Sequence, residues 1–269
     1  MIGMHRRAIA AIALAGSLGF GSGIALAQHD PDLSADEVKC QLGTSLAVSK
    51  FITDKAKCLT KCEQGARKTP PLNPSSDCQP PYAGATGDCI ALAESKATGL
   101  EQTKCAKDCP ECYMNGDCAA DASARIADTE SNVDTLRLLV YCDDSGSGDG
   151  LTKAEAKCAD TVAKTLANFA KAKLLCFSKC RKDEDKLKVP VGSCDPPPSD
   201  QKTSDCIQKA TDKATAAIDK QCESSVNPKA DKPDCYTLTS AQWVNAVEMA
   251  VDDGQANLYC GSPSAAFVD

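Results

Sequence analysis

Histidine is almost missing from this chain of 269 residues, which contains only His5 and His29. A Ser-His-Asp triad, a histidine general base or a histidine-rich zinc or haem site therefore has almost no residues from which to be built. The sequence also lacks a Cys-x-x-Cys-His motif for covalent haem attachment. These absences predict a protein that is not an enzyme and carries no cofactor.

Aromatic side chains are scarce as well, at 4% of the residues and with a single tryptophan, Trp243. Alanine supplies much of the apolar content, so hydrophobic burial per residue is expected to be poor. A native disulfide typically adds about 2–4 kcal/mol of stability. We therefore expect disulfides to carry much of the stability of this fold.

Long apolar runs are missing beyond the N-terminus. Residues 1–27 have the layout of a secretory signal, with Arg6 and Arg7 before an apolar stretch and a small-x-small cleavage site ending at Ala27. Glycines interrupt that stretch well short of the roughly 20 apolar residues of a membrane span. We predict cleavage near Ala27 and export to the periplasm or the extracellular space, with no transmembrane segment.

Positive charge is in deficit. Loss of Arg6 and Arg7 with the signal leaves 28 of the 30 basic residues against 37 acidic ones, a mature net charge of −9. Nucleic acid and anionic membrane surfaces both require clustered positive charge, so neither is expected as a partner. A protein or another envelope component remains as the class of partner.

Cysteine is abundant, and all 18 cysteines follow the expected signal. An even number in an exported chain predicts disulfides rather than metal-binding thiolates. Sixteen of them form two series of eight, offset by 118, 118, 118, 116, 117, 117, 117 and 118 positions, which indicates a tandem duplication. The first series is Cys40, Cys58, Cys62, Cys78, Cys89, Cys105, Cys118 and Cys142, and the second is Cys158, Cys176, Cys180, Cys194, Cys206, Cys222, Cys235 and Cys260.

The duplication predicts an all-α protein of two tandem disulfide-stapled helical-bundle modules, each with about three helices and long proline-rich loops. Capping boxes at Ser34-x-x-Glu37 and Thr152-x-x-Glu155 predict where the first helix of each module begins. The predicted parts are the signal at 1–27, module one at 28–143, a Gly/Ser/Asp linker at 144–151 and module two at 152–269.

The sequence does not fix the disulfide pairing, since eight cysteines allow 105 connectivities. Antiparallel helices bring the end of the first helix to the start of the second, so we expect Cys58 and Cys62 to pair with Cys78 and Cys89. This grouping requires the third helical segment of a module to turn back, near Val251 to Gly254 in the second module. If that segment runs straight, one bridge must be rearranged. The other expected group of the first module is Cys40, Cys105, Cys118 and Cys142.

Two cysteines outside both series, Cys109 and Cys112, form a Cys-Pro-Glu-Cys motif. Thiol-disulfide centres have this spacing, but they open a helix after a strand, whereas this motif follows the end of a predicted helix. With Cys105 and Cys118 it offers four thiolates for zinc, although the second series keeps the outer pair without the inner one. We predict a short Cys109–Cys112 bridge and no metal, with thiol redox chemistry at this pair as the alternative.

Two further motifs suggest metal binding at first sight. The segment from Asp143 resembles an EF-hand loop, but Glu155 falls at position thirteen rather than twelve and belongs to a capping box. The expected mature N-terminus, at Gln28 and His29, offers copper an amine and one imidazole, which is a meagre site. We predict a solvated linker and no bound metal.

The segments "AKTLANFAKAKLLCFSKC" and "SDCIQKATDKATAAIDKQC" are similar to cysteine-rich, Lys/Ala-rich helical repeats in secreted bacterial proteins of uncharacterised function. The resemblance covers both modules and implies no activity. Plant lipid-transfer proteins are also helical and four-bridged, but their adjacent Cys-Cys and Cys-x-Cys pairs are absent here, so their lipid tunnel is not implied. We expect a structural or binding protein, with a carrier of a small apolar ligand, which needs a cavity between helices, as a further alternative.

Overall fold

The structure is a computed structural model that describes residues 33–113, 117–142 and 151–259. These ranges contain seven α-helices, one 3₁₀ turn (Ser75–Cys78) and no strand, so the predicted all-α class is confirmed. No helix within them is both long and apolar enough to cross a membrane. The helices are α1 (Ala35–Ala66), α2 (Gly84–Cys105), α3 (Cys118–Val140), α4 (Lys153–Glu184), α5 (Gln201–Cys222), α6 (Ser240–Asp253) and α7 (Gln255–Leu258).

The predicted capping boxes begin the two longest helices. Ser34 Oγ accepts a hydrogen bond from the Glu37 backbone N–H at 3.1 Å, and the Glu37 carboxylate accepts one from the Ser34 N–H at 2.6 Å. Thr152 and Glu155 make the same pair of bonds at the start of α4. Each box satisfies backbone donors that the first helical turn leaves unpaired, and each is followed by a helix of 32 residues.

Helices α1 and α4 pack against each other in antiparallel orientation. Ser45 Oγ lies 3.0 Å from Ser178 Oγ near one end of the pair. The Arg67 guanidinium donates to the Asp160 carboxylate at 2.7 Å near the other end. Helix α2 packs on α1 and α5 packs on α4, while α3 and α6 complete the two groups of helices.

One hydrophobic cluster extends over both predicted modules. Its buried members include Phe51 in α1 and Val140 in α3, together with Phe169 in α4 and Trp243 in α6. The two predicted modules therefore share a core. The predicted linker lies outside the described residues except for Leu151.

Every cysteine in the described ranges is oxidised. Cys112 is also disulfide-bonded, and Cys260 lies outside the described residues. Such dense cross-linking suits an oxidising compartment. The eight bridges described are Cys40–Cys105, Cys58–Cys89, Cys62–Cys78, Cys109–Cys118, Cys142–Cys235, Cys158–Cys222, Cys176–Cys206 and Cys180–Cys194.

The expected pairing of Cys58 and Cys62 with Cys78 and Cys89 is confirmed. The bonds Cys176–Cys206 and Cys180–Cys194 repeat it later in the chain. These bridges join the end of the first helix of each group to the loop and helix that follow it. Antiparallel packing of neighbouring helices is enough to predict them.

The other expected group is confirmed only for Cys40, which bonds to Cys105. It is wrong for Cys142, which bonds to Cys235, and for Cys118, which bonds to Cys109. Helix α3 runs without interruption to Val140, so it carries Cys142 away from Cys40 and towards the later helices. The straight third segment thus forces a rearranged bridge between the two predicted modules.

The expected Cys109–Cys112 bridge is also wrong, because Cys109 bonds to Cys118 at the start of α3. The match of Cys118 with Cys235, taken from spacing, is not supported by their bridges. Cys235 is followed by the buried Tyr236, as Cys112 is followed by the buried Tyr113. In its surroundings Cys235 therefore corresponds to Cys112.

Candidate functional site, an apolar cavity

The predicted thiol motif does not assemble into a dithiol centre. Cys109 and Cys112 bond to different partners. The Sγ atoms of Cys40, Cys105 and Cys118 lie within 4.8 Å of one another, but all three belong to disulfides and are not thiolate ligands. The EF-hand-like segment up to Gly150 and the histidine at the expected N-terminus lie outside the described residues.

A cavity of about 150 Å³ lies between α3 and α6, on a floor made by α1 and α4. Sequence reasoning did not locate it, since its lining residues are ordinary aliphatic side chains without a chemical motif. Its buried walls include Val48 from α1, Val140 from α3, Leu166 and Leu174 from α4 and Val247 from α6. The interior is therefore an apolar environment lined by α1, α3, α4, α6 and, through Leu258, α7.

The lining positions recur at the spacing of the cysteine series. Eight positions on α1 and α3 have a counterpart, 118 residues later, that also lines the cavity. We use "counterpart" for residues related by this spacing of 118, or of 117 between α2 and α5. The pairs are Val48 and Leu166, Ile52 and Ala170, Ala56 and Leu174, Thr129 and Val247, Asn132 and Ala250, Val133 and Val251, Leu136 and Gly254, and Val140 and Leu258.

At three of the eight pairs the later residue has the smaller side chain, and at three others it has the larger one. Gly254 is the counterpart of Leu136, and Ala170 is the counterpart of Ile52. Gly254 has φ −74°, a conformation open to any residue, so backbone geometry does not require glycine there. One sequence signal for space between these helices is a glycine or alanine whose counterpart is a large residue. Gly254 and Ala170 are such positions.

The rim on the α3 side is polar. Asp128 and Asn132 are exposed, and the Thr129 hydroxyl donates to the Arg125 carbonyl at 2.8 Å. Arg125 also lines the cavity, but its guanidinium is paired with Glu101. The apolar interior therefore opens towards solvent beside α3, where a polar end of a bound molecule would remain hydrated.

A buried lysine holds each wall helix to the floor. Lys55 of α1 is 0% exposed and its Nζ lies 2.6 Å from Glu130 and 2.5 Å from Asp134, both on α3. A buried ammonium needs such carboxylate partners, because an unpaired charge away from water is costly. The pairs fix α3 against α1.

The same arrangement fixes α6 against α4. Lys173 is the counterpart of Lys55, and its Nζ lies 3.0 Å from Glu248 and 2.7 Å from Asp252. Partial burial raises the pKa of the Asp252 carboxyl, while the bond to Lys173 acts in the opposite direction. Both walls of the cavity are thus positioned by the same three residue types at the same spacing.

Two tyrosines close the ends of the wall helices. The Tyr113 hydroxyl donates to the Leu258 carbonyl at 2.6 Å, and the Tyr236 hydroxyl donates to the Val140 carbonyl at 2.7 Å. Burial raises the pKa of both phenols above the ordinary value, so both remain protonated donors. The Tyr236 bond joins the loop before α6 to the end of α3, and the Tyr113 bond joins the loop before α3 to the end of α7, the short helix that follows α6.

Neither protein-family models, nor curated proteins, nor solved structures show a significant match to this chain. The resemblance to secreted cysteine-rich helical repeats therefore stays a prediction. The geometry of the apolar cavity is therefore the feature that indicates a function.

Proposed function

We propose that this protein is an exported, non-enzymatic binding protein in which two tandem helical modules hold a small apolar molecule between α3 and α6. The observation that carries the proposal is the cavity of about 150 Å³ with buried aliphatic walls from five helices. A closed apolar cavity of roughly that volume accepts a benzene-sized molecule, and this cavity, which is open beside α3, has room for a molecule of the same size. The expected ligand is therefore a compact hydrocarbon-like molecule.

Rigid surroundings support binding rather than a purely structural role. A void in a soft core would collapse, but the walls here are held by the ion pairs of Lys55 and Lys173 and by the Cys142–Cys235 bridge. A preformed site loses less conformational entropy when it is occupied. Natural cores leave few such voids, so a retained one favours occupancy.

The proposal is tested by titrating toluene into the mature protein and following methyl chemical shifts of the cavity valines and leucines by NMR. The decisive variant is Gly254→Leu, which introduces the side chain found at the counterpart position, Leu136. A Cβ at Gly254 would lie 3.4 Å from the nearest atom, the Ala250 carbonyl oxygen, which is ordinary contact. We expect the added side chain to fill the cavity and to weaken toluene binding at least about tenfold.

Gly99→Leu is the matched control, because Gly99 lies on α2 and a Cβ there would meet nothing within 4 Å. Toluene binding by this variant should equal that of the unmodified protein. Absence of saturable shifts in the unmodified protein, or equal binding by Gly254→Leu, would contradict the proposal and favour a structural role.

A further inference from the structure

Two disulfides lie in direct contact at the junction of α1, α2 and α3. Cys40 of α1 bonds to Cys105 at the end of α2, and Cys118 at the start of α3 bonds to Cys109. The non-bonded Sγ atoms of Cys40 and Cys118 are 3.8 Å apart. Among the described residues, no other three cysteine sulfurs come as close together as those of Cys40, Cys105 and Cys118.

The two bridges differ in their access to solvent. Cys40 and Cys105 are buried, at 0% and 5% exposure. Cys109 is only partly buried, so an external thiolate reaches its sulfur first. The Thr44 hydroxyl lies 3.9 Å from Cys105 Sγ, and it donates its proton to Glu101 at 3.1 Å.

We propose that this cluster is a thiol-exchange site. A low-molecular-weight thiol modifies Cys109, and the disulfide between α1 and α2 is replaced by one between α1 and α3. The external thiolate forms a bond to Cys109 Sγ, and the Cys109–Cys118 bond breaks with its electron pair going to Cys118. Once released, the Cys118 side chain turns to bring its sulfur from the side of the Cys40–Cys105 bond into line with it. The Cys118 thiolate then attacks Cys40 Sγ, and the Cys40–Cys105 bond breaks with its electron pair going to Cys105. Cys105 takes up the proton that the external thiol gave to solvent.

The products are a mixed disulfide at Cys109, a Cys40–Cys118 bridge and a Cys105 thiol. One thiol is consumed and one is formed, so the sequence needs no oxidant. Cys118 is the relay because its sulfur contacts the buried bridge while its own partner is accessible. The counterpart bridge Cys158–Cys222 has no such neighbour in the described structure, and it provides an internal control.

The test uses Cys109→Ala, in which removal of one partner leaves an odd thiol. The protein is quenched in acid, denatured, labelled with N-ethylmaleimide and mapped by mass spectrometry without reduction. We expect the label to divide between Cys118 and Cys105, with roughly a tenth or more at Cys105 and a matching Cys40–Cys118 peptide. Label on Cys118 alone, or on any cysteine other than these two, overturns the proposal.

Cys118→Ala is the matched variant, because it removes the relay sulfur and leaves the odd thiol on Cys109. All label should then lie on Cys109, with Cys40–Cys105 intact. Unmodified protein incubated with glutathione supplies a second measurement that does not depend on the folding of either variant. It should give glutathione on Cys109 together with a Cys40–Cys118 peptide, and a product that keeps Cys40–Cys105 would contradict the exchange.

Discussion

The two halves of the described chain bury different kinds of side chain at counterpart positions. The first half covers residues 33–142 and the second half covers residues 151–259. In the first half Thr44 donates to Glu101 at 3.1 Å, and the Arg125 guanidinium lies 3.3 Å from the same carboxylate. All three side chains are buried. Their counterparts in the second half are the buried apolar residues Val162, Ile218 and Trp243.

The same helix positions therefore accommodate a polar network in one half and apolar side chains in the other. Burial raises the pKa of the Glu101 carboxyl, while Arg125 and Thr44 act in the opposite direction. Removal of a buried ion pair as a whole is often neutral or stabilising, whereas removal of one partner is strongly destabilising. The first half therefore depends on a complete polar network, and the second half obtains the same packing from apolar burial.

The largest expected effect comes from breaking that network at one residue. Glu101→Ile introduces the residue of the second half and leaves the buried Arg125 guanidinium with Asp121 as its remaining ion-pair partner, so we expect a loss of about 3 kcal/mol in the free energy of unfolding. The triple variant Thr44→Val, Glu101→Ile, Arg125→Trp copies the whole second-half set and should recover most of it. Urea denaturation followed by circular dichroism measures both, and a triple variant no better than the single one would contradict this account.

The next effect tests whether the halves fold as one unit. Replacing Cys142 and Cys235 by alanine removes the one bridge between the halves that the described residues show, and we expect a loss of about 3 kcal/mol. The shared hydrophobic core should nevertheless keep unfolding in a single transition. Calorimetry distinguishes this from independent halves, which would separate into two transitions once the bridge is absent.

Much of the helical framework was predictable because it depends on local chemistry. The capping boxes at Ser34 and Thr152 specify helix starts through hydrogen bonds within one turn. The bridges from Cys58 and Cys62 follow from antiparallel packing of consecutive helices. These features need only residues that are close in sequence or joined by a short loop.

The cavity and the bridge between the halves were not predictable, since both depend on how α1 meets α4. Cys142 finds Cys235 only because α3 continues straight to Val140. Gly254 helps to open a cavity only because α3, with Leu136, stands across from it. Spacing identified the repeated cysteines but also matched Cys118 with Cys235, although their surroundings differ.

A smaller effect tests the matched ends of the wall helices. Tyr113→Phe and Tyr236→Phe each remove a hydroxyl that donates to a buried carbonyl, at Leu258 and Val140. We expect each substitution to cost about 1–2 kcal/mol, with similar values because the two bonds have the same geometry. Thermal or urea unfolding of the two variants gives the comparison, and a clear effect from only one of them would show that the halves are not equivalent there.

The smallest effect concerns a titrating group that only the first half possesses. Glu94 lies beside Glu130, and its pKa is raised mainly by partial burial and then by that neighbouring carboxylate, against an opposing influence from Lys55. An acid whose pKa is raised by folding destabilises the fold above that pKa, and the penalty disappears as the pH falls through it. Glu94→Gln should therefore stabilise the protein at pH 8, by about 0.5 kcal/mol given solvent screening.

The gain from Glu94→Gln should shrink as the pH is lowered towards 4, because the native carboxyl is then protonated and resembles the amide. The counterpart of Glu94 is Thr211, which carries no titrating group, so Thr211→Val should change stability by an amount that does not vary with pH. Urea unfolding of both variants at pH 8, 6 and 4 separates the two behaviours. A pH-independent effect of Glu94→Gln would mean that its carboxyl is no more difficult to ionise in the fold than in the unfolded chain.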